Sequence, residues 1–369
     1  MRKISVLVVD DSAVMRRVLS DVLSCDPAIH IVGTARNGRV ALELFSQLKP
    51  DVVTLDVEMP VMDGITTLRE LRKQDPHLPV IMCSLLTREG AVTTVDALMA
   101  GATDYVAKPD SAADLSAAML HFEKELLPKV KDYGERAVVR AEGKVMPPPE
   151  QERPTAVIRV HRRPVRAVCI GVSTGGPNAL AAVFGSLAQP LPVPVFVVQH
   201  MPAHFTKLLA ARLDGLGPMP VCEAEDGQPV VAGHAYVAAG GRHLEVRQEG
   251  LHTVLRLHDG PMENSCRPAV DVLFRSVAKV YGSSVVAVVM TGMGEDGLRG
   301  TEVVREHGGL IIAQDEASSV VWGMPGAVIR AGLAWAEVPL ADLAECITRQ
   351  VRAGRPLQTE RSTPESPTA

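Results

Sequence analysis

Through the first 130 residues, short apolar runs alternate with stretches of helical spacing, and few folds satisfy that alternation. Ile4 to Val9, Ile29 to Thr34, Val52 to Val57, Val80 to Leu85 and Tyr105 to Ala107 read as strands. Ala13 to Leu23, Val40 to Leu48, Gly64 to Lys73, Ala91 to Ala100 and Leu115 to Leu127 read as helices between and after them. Strands that are apolar throughout must be covered on both faces, and five β-α units do this with a parallel sheet between two helical layers. A chain of 369 residues exceeds one ordinary core, so a second domain is expected downstream. The hydrophobic content of 46% supports full folding, and aromatics at 3% mean cores built from Val, Leu, Ala and Met.

Polar residues cluster where those strands end. Asp10 and Asp11 close the first, Asp56 lies near the end of the third, Ser84 ends the fourth and Lys108-Pro109 the fifth. In an open parallel sheet these positions share the carboxyl edge, where ligands bind. Three carboxylates brought together repel unless a hard cation or a lysine joins them, and Mg2+ suits an all-oxygen site. Solvated acids at loop ends are the plainer alternative, but they leave the hydroxyl and the lysine at the same edge unexplained.

Residues 1 to about 125 resemble a two-component receiver domain. The likeness rests on Asp10-Asp11, on Asp56 within Leu55-Asp56-Val57-Glu58-Met59-Pro60-Val61-Met62-Asp63-Gly64, on Ser84 and on Lys108-Pro109. It implies a flavodoxin-like (βα)5 fold over residues 1–130 and phosphorylation of Asp56 by a histidine kinase. It further implies Mg2+ held by Asp11, Asp56 and the backbone carbonyl of Glu58, with Asp10 supporting the pocket. Lys108 would neutralise the phosphoryl oxygens, and Ser84 would hydrogen-bond to them and draw its loop inward.

From residue 131 to 164 the character changes: Pro147-Pro148-Pro149 sits among charged residues and His161-Arg162-Arg163-Pro164 closes the segment. An interdomain linker is expected there. A disordered tail is expected over residues 356–369, which are rich in Pro, Thr, Ser and Glu. The formal charge of −5 gives no reason to expect nucleic acid or an anionic membrane as a partner. No apolar stretch approaches the ~18 residues of a membrane span. Met1-Arg2-Lys3-Ile4-Ser5-Val6 leads into a strand pattern and not into a signal peptide, so a cytoplasmic location is expected. Cys25, Cys83, Cys169, Cys222, Cys266 and Cys346 form no C-x-x-C pair, and because several sit in apolar runs the plain reading is buried free thiols of a reducing compartment.

In the second half, Ala167 to Ile170 reads as a buried strand that runs into Gly171-Val172-Ser173-Thr174-Gly175-Gly176-Pro177, with an Ala-rich helix behind. This fits the G-x-S-x-G pattern that turns a serine outward, and a chemically silent Ser/Gly turn fits it as well. His200 ends another apolar strand, Val193 to Val198, in Gln199-His200-Met201-Pro202. Asp296 follows a third, Val285 to Met290, in Thr291-Gly292-Met293-Gly294-Glu295-Asp296-Gly297. A serine needs an adjacent base, which His200 can supply, and Asp296 can hold the imidazole and stabilise its charged form. Backbone N–H groups at Thr174 and Met293 are candidates to face an oxyanion. A histidine base predicts activity that rises with pH, with an apparent pKa near about 7. The competing readings are a different histidine (His204, His234, His243, His252, His258 or His307) and a flexible or weakly metal-binding Thr291–Gly297 loop.

The order Ser, His, Asp departs from the Ser, Asp, His order of α/β-hydrolases. The three strings instead resemble those of the chemotaxis protein-glutamate methylesterase family, as do Pro268 to Ala278 and Trp322-Gly323-Met324-Pro325-Gly326. That resemblance implies a doubly wound, mostly parallel α/β catalytic domain over residues 165–355, with Ser173, His200 and Asp296 as its triad and no metal of its own. The implied reaction is hydrolysis of glutamate methyl esters, and deamidation of certain glutamines, on the cytoplasmic domains of methyl-accepting chemoreceptors. The implied phosphodonor is a chemotaxis histidine kinase. Two other classes remain: a nucleotide-binding module, although the serine turn lacks the Lys-Ser/Thr of a P-loop, and a response regulator whose output is binding alone.

Overall fold

The computed structural model describes residues 2–85, 88–109, 115–141 and 164–353. The first body runs β1 (Ile4–Val9), α1 (Ala13–Ser24), β2 (Ile29–Ala35), α2 (Gly38–Leu48), β3 (Val52–Asp56), α3 (Gly64–Gln74), β4 (Val80–Leu85), α4 (Arg88–Met99), β5 (Asp104–Lys108) and α5 (Leu115–Glu125). Its sheet has the order β2-β1-β3-β4-β5 with every neighbouring pair parallel. All six residues of β1 and all five of β3 are buried, as strands covered on both faces require. Ser12, Asn37 and Asp63 start α1, α2 and α3 by accepting from the amides of Met15, Val40 and Thr66, so the strand-to-helix turns are written in the sequence.

The chain does not leave this body where the linker was expected. A sixth helix, α6 (Leu127–Ala141), takes up residues 131–141. Its Val130, Tyr133, Gly134 and Val138 fall on one helical face and are buried. Gly134 sits so close to β1 that a Cβ there would lie 2.2 Å from Ile4 Cγ2. Lys131 pairs with Asp26 at 2.8 Å, and the Tyr133 hydroxyl donates to Asp104 at 2.6 Å. Residues 142–163, which include the proline run, and the tail from 354 onward lie outside the described residues.

The second body runs β6 (Ala167–Val172), α7 (Gly176–Gly185), β7 (Val195–Gln199), α8 (Phe205–Asp214), β8 (Val221–Glu223), β9 (Ala235–Val237), β10 (His243–Glu249), β11 (His252–His258), α9 (Val270–Tyr281), β12 (Val285–Val289), α10 (Leu298–Glu306), β13 (Leu310–Gln314), α11 (Met324–Arg330), β14 (Ala336–Val338) and α12 (Leu340–Arg352). Seven strands form a parallel sheet in the order β14-β13-β12-β6-β7-β9-β8, and β10 and β11 make a separate antiparallel hairpin. Residues along β6 alternate between two cores. Val168 and Ile170 pack with Leu180, Val183 and Ile347 of α7 and α12, whereas Ala167 and Cys169 pack with Leu273, Phe274 and Val277 of α9. From β6 the chain adds β7 on one side and later β12 on the other, so the order reverses at β6. The crevice outside that reversal is where a sheet of this kind binds ligands.

The two bodies meet through β5 and α4 of the first and α7 and α8 of the second. The Tyr105 ring stacks on Phe205 with centroids 5.1 Å apart, Asp96 pairs with Arg212 at 2.5 Å, and Asn178 donates to the Ala102 carbonyl at 3.0 Å. On the far side, Arg136 of α6 donates to the Val320 carbonyl at 2.8 Å. Among the described residues no helix is long and apolar enough to cross a membrane.

Candidate active site and receiver pocket

The carboxyl edge of the first sheet brings together the acids predicted to meet there. Ligand oxygens of Asp10, Asp11 and Asp56 lie within 4.8 Å of one another. Lys108, from the end of β5, reaches both Asp10 and Asp56 at 2.8 Å. Burial pushes the Asp56 carboxyl up to about 6 against the pull of Lys108, and Asp10 and Asp11 push the same way. Burial works to lower the Lys108 ammonium, but Asp56 and Asp10 outweigh it and raise its pKa. One lysine leaves the three acids with surplus negative charge, so this hard, all-oxygen donor set fits Mg2+. Glu58 is exposed two residues beyond β3. Ser84 is buried at the end of β4, and its hydroxyl faces the Gly90 carbonyl of α4 at 3.2 Å.

In the second sheet, β12, β6 and β7 are neighbours, so the turns that follow them lie side by side. Ser173 follows β6, with its amide donating to the Thr291 carbonyl at 3.0 Å. Gly175 begins α7 at φ +73, and Gly292 lets the turn after β12 close up against the serine, since a Cβ there would lie 2.9 Å from Ser173 Cβ. Among the described residues the Ser173 hydroxyl makes no hydrogen bond, and neither do the amides of Thr174 and Met293.

His200 follows β7, and its Nε2 meets Asp296 Oδ2 at 2.8 Å. Asp296 is almost fully enclosed. Its Oδ2 also accepts from the Val270 amide at 2.7 Å, and its Oδ1 from Asn264 Nδ2, the Asp271 amide and the Gly297 amide at 2.9 to 3.1 Å. Two of those donors open α9, so a helix N-terminus holds the carboxylate. Burial favours the neutral acid, but the hydrogen bond and charge of His200, with the Val270 and Asp271 amides, hold Asp296 below the ordinary range. An ionised carboxylate only accepts, so Nε2 carries the proton and Nδ1 is the nitrogen left to act as a base. Burial works to lower the His200 pKa, yet its bonds to Asp296 and to Cys266, whose Sγ is 3.5 Å from Nδ1, lift it to about 9. That value stands above the one near 7 expected for an unperturbed base, because the acid and the thiol both favour the charged ring.

Sequence reasoning missed the residues that hold this arrangement. Asp271, buried in the first turn of α9, accepts from the amides of Gly297 and Gly300 at 3.0 and 2.6 Å and so fastens the start of α10 beside Asp296. Asn264 joins the two acids, donating to each at 2.9 Å. An acidic residue inside an otherwise apolar helical face was the available signal at Asp271; Asn264 had none. The crevice itself measures about 580 Å3. Ser173, Thr174, His200, Cys266 and Arg267 line one wall, and Tyr105, Val106, His121 and Lys129 of the first body line the other. None of the competing histidines lines it among the described residues. Of the cysteines, Cys83, Cys169 and Cys346 are buried as expected, while Cys25 is exposed and Cys222 and Cys266 are half-buried.

Comparison with known proteins agrees with both halves. The family profile of the response regulator receiver domain matches residues 6–120, and that of the CheB methylesterase matches residues 168–347. The protein-glutamate methylesterase/protein-glutamine glutaminase of Nocardioides is 48% identical over 359 residues, covering 96% of this chain and 97% of that protein. Its namesake from Trichodesmium erythraeum is 43% identical, covering 95% of this chain and 100% of that one. The crystal structure of the Thermotoga maritima CheB methylesterase catalytic domain is 40% identical, covers 50% of this chain and 98% of that one, and has a TM-score of 0.49. A receiver ahead of a doubly wound catalytic domain, with near-full-length relatives of one name, means that the chain belongs to the protein-glutamate methylesterase/protein-glutamine glutaminase family of chemotaxis.

Proposed function

We propose that this enzyme works by a Ser173-His200-Asp296 acyl-enzyme mechanism and that phosphorylation of Asp56 relieves inhibition by the receiver. The observation that carries the reading is the His200–Asp296 contact at 2.8 Å, on the turn beside Ser173, in a crevice whose other wall is the receiver. Ser173 attacks the γ-carbonyl of a glutamyl methyl ester and passes its proton to His200 Nδ1. The Thr174 and Met293 amides receive the oxyanion. Methanol leaves with the proton from His200, and water then hydrolyses the acyl-enzyme with His200 again as base. With a glutamine side chain the leaving group is ammonia.

The substrates are the cytoplasmic domains of methyl-accepting chemoreceptors, and the phosphodonor is a chemotaxis histidine kinase in the same cytoplasm. Asp11, Asp56 and the Glu58 carbonyl would hold Mg2+, which neutralises the incoming phosphoryl oxygens. Lys108 shares that task, and Ser84 gives up Gly90 to bond them, pulling the start of α4 toward the pocket. Because α4 carries Asp96, that movement disturbs the contact with Arg212.

The direct test is methanol release from methylated receptor membranes with and without a small phosphodonor. A rise of about tenfold is expected, which corresponds to ~1.4 kcal/mol withdrawn from docking. Asp56→Asn should stay at its basal rate, and equal stimulation of that variant would exclude control through Asp56.

The pH profile tests the base. In the unphosphorylated chain kcat/KM should climb from neutrality and level off only above about 9, where His200 loses its proton. The same raised pKa stabilises the fold fully below the ordinary histidine range, and that contribution is lost as pH rises through about 9. A rate that is flat from neutrality to about 9, with substrate binding not limiting, would remove His200 as the base.

A further inference from the structure

We propose that Cys266 is a modification site for small oxidants and soft electrophiles, that it shares the base His200 with Ser173, and that its modification switches hydrolysis off. The inference rests on the reading of His200 as the base of Ser173. Asp296 occupies Nε2, so the ring has only Nδ1 to offer a nucleophile, and Cys266 Sγ stands 3.5 Å from it. Cys266, His200 and Asp296 keep their ligand atoms within 4.8 Å, the Cys-His-acid arrangement that activates sulfur in thiol hydrolases. The sulfur is half-buried and lines the crevice, within reach of small reagents. A metal ion shared by the three fits less well. Sulfur and carboxylate meet different nitrogens of one imidazole, and a single ion cannot bind through both.

With a hydroperoxide, the Cys266 sulfur attacks oxygen, the O–O bond breaks, and the thiol proton reaches the leaving hydroxide through His200. The products from hydrogen peroxide are a sulfenic acid and water, and a thiol reductant reverses the first. With iodoacetamide an S–C bond forms, the C–I bond breaks, iodide leaves and the thiol proton is lost to water by way of His200. Either adduct adds bulk beside Nδ1 and keeps the Ser173 hydroxyl from it.

The full-length protein carries its own reference, because Cys25 is exposed and its sulfur only meets the Asp21 carbonyl, at 3.3 Å. Treated with iodoacetamide at about pH 7.5 and read by peptide mass spectrometry, Cys266 should be alkylated about fivefold faster than Cys25, or more. Loss of methanol release should track that label, and dithiothreitol should restore activity lost to peroxide. His200→Gln should bring Cys266 down to the rate of Cys25 without altering Cys25. Cys266→Ala, measured against its own untreated rate, should resist both reagents. Labelling of Cys266 no faster than Cys25, labelling unaffected by His200→Gln, or full labelling with hydrolysis intact would each overturn the proposal. If Ser173 proved not to be the nucleophile, the labelling rates would still report on the thiol and its base, so the two failures are distinguishable.

Discussion

Ser173→Ala is expected to lower methanol release by about three orders of magnitude or more, the usual cost of removing the nucleophile of a catalytic triad. Its specificity follows from the geometry. The serine hydroxyl is half-buried and makes no hydrogen bond among the described residues, while its amide and carbonyl carry the contacts that shape the turn. Removing one oxygen therefore leaves the Thr291 and Gln199 bonds in place, and thermal stability should move by no more than about 0.5 kcal/mol. Phosphorylation of Asp56, on the other sheet, should proceed at its ordinary rate. A variant that kept even about a tenth of the activity would assign the attack to another group. Gas chromatography of released methanol, beside a phosphorylation assay on the same preparation, separates a lost nucleophile from a lost fold.

The second large effect concerns the covering wall. Residues 165–369 alone should hydrolyse receptor esters about 10 to 100 times faster than the unphosphorylated full chain, with each tenfold equal to ~1.4 kcal/mol of docking. The contacts across the crevice suit that scale. A stacked aromatic pair such as Tyr105 and Phe205 is worth about 0.5–1.5 kcal/mol beyond its burial. Asp96 and Arg212 are each partly exposed, so their ion pair is worth about 0–1 kcal/mol. The Asn178 bond to Ala102 adds about 0.5–1.5 kcal/mol. Buried apolar residues add to these contacts, since Ala91, Val95, Leu98 and Ala102 belong to one cluster with Leu180, Val183, Leu209 and Ala210, so a phosphoryl group that releases the cover must part that seam as well. Arg212→Glu in the full chain should act in the same direction and more weakly, through repulsion of Asp96. Unchanged or lower activity on removal of the receiver would mean that it serves the enzyme by positioning it on its substrate.

The first sheet was legible almost residue for residue, because its strands are mostly apolar and the first three helices announce their starts with Ser12, Asn37 and Asp63. The acids, the lysine and the serine, histidine and aspartate of the second sheet were legible for a related reason: all sit where an apolar run stops. What escaped was fixed by tertiary contact. Helix α6 has its buried face at Val130, Tyr133, Gly134 and Val138, yet charged residues between them and the glycine weaken the pattern until β1 and Asp104 are there to meet it. The three-residue strands β8 and β14 are too short for any period to show. Asn264 and Asp271 are ordinary polar residues in sequence and become part of the site only because the chain folds back over Asp296. The high pKa of His200 was out of reach for the same reason, since it depends on the bond to Asp296 and, beside it, on a cysteine 66 residues away.

Among the described residues, the hydrogen bonds that orient Asp296 all come from the second body: from Asn264, His200, Gly297 and the opening amides of α9. The His200–Asp296 pair is therefore held by the second body's own residues, and the receiver supplies none of these bonds. A cover over a finished site multiplies the traffic of every substrate by one common factor, unlike a regulator that must complete the site and can alter its preferences as it does so. If the receiver acts as a cover alone, the balance between ester cleavage and amide cleavage belongs to the second body's wall of the crevice. On the proposed control through Asp56, a phosphoryl signal would set how much hydrolysis the enzyme performs per unit time and would leave the proportions of demethylation and deamidation constant.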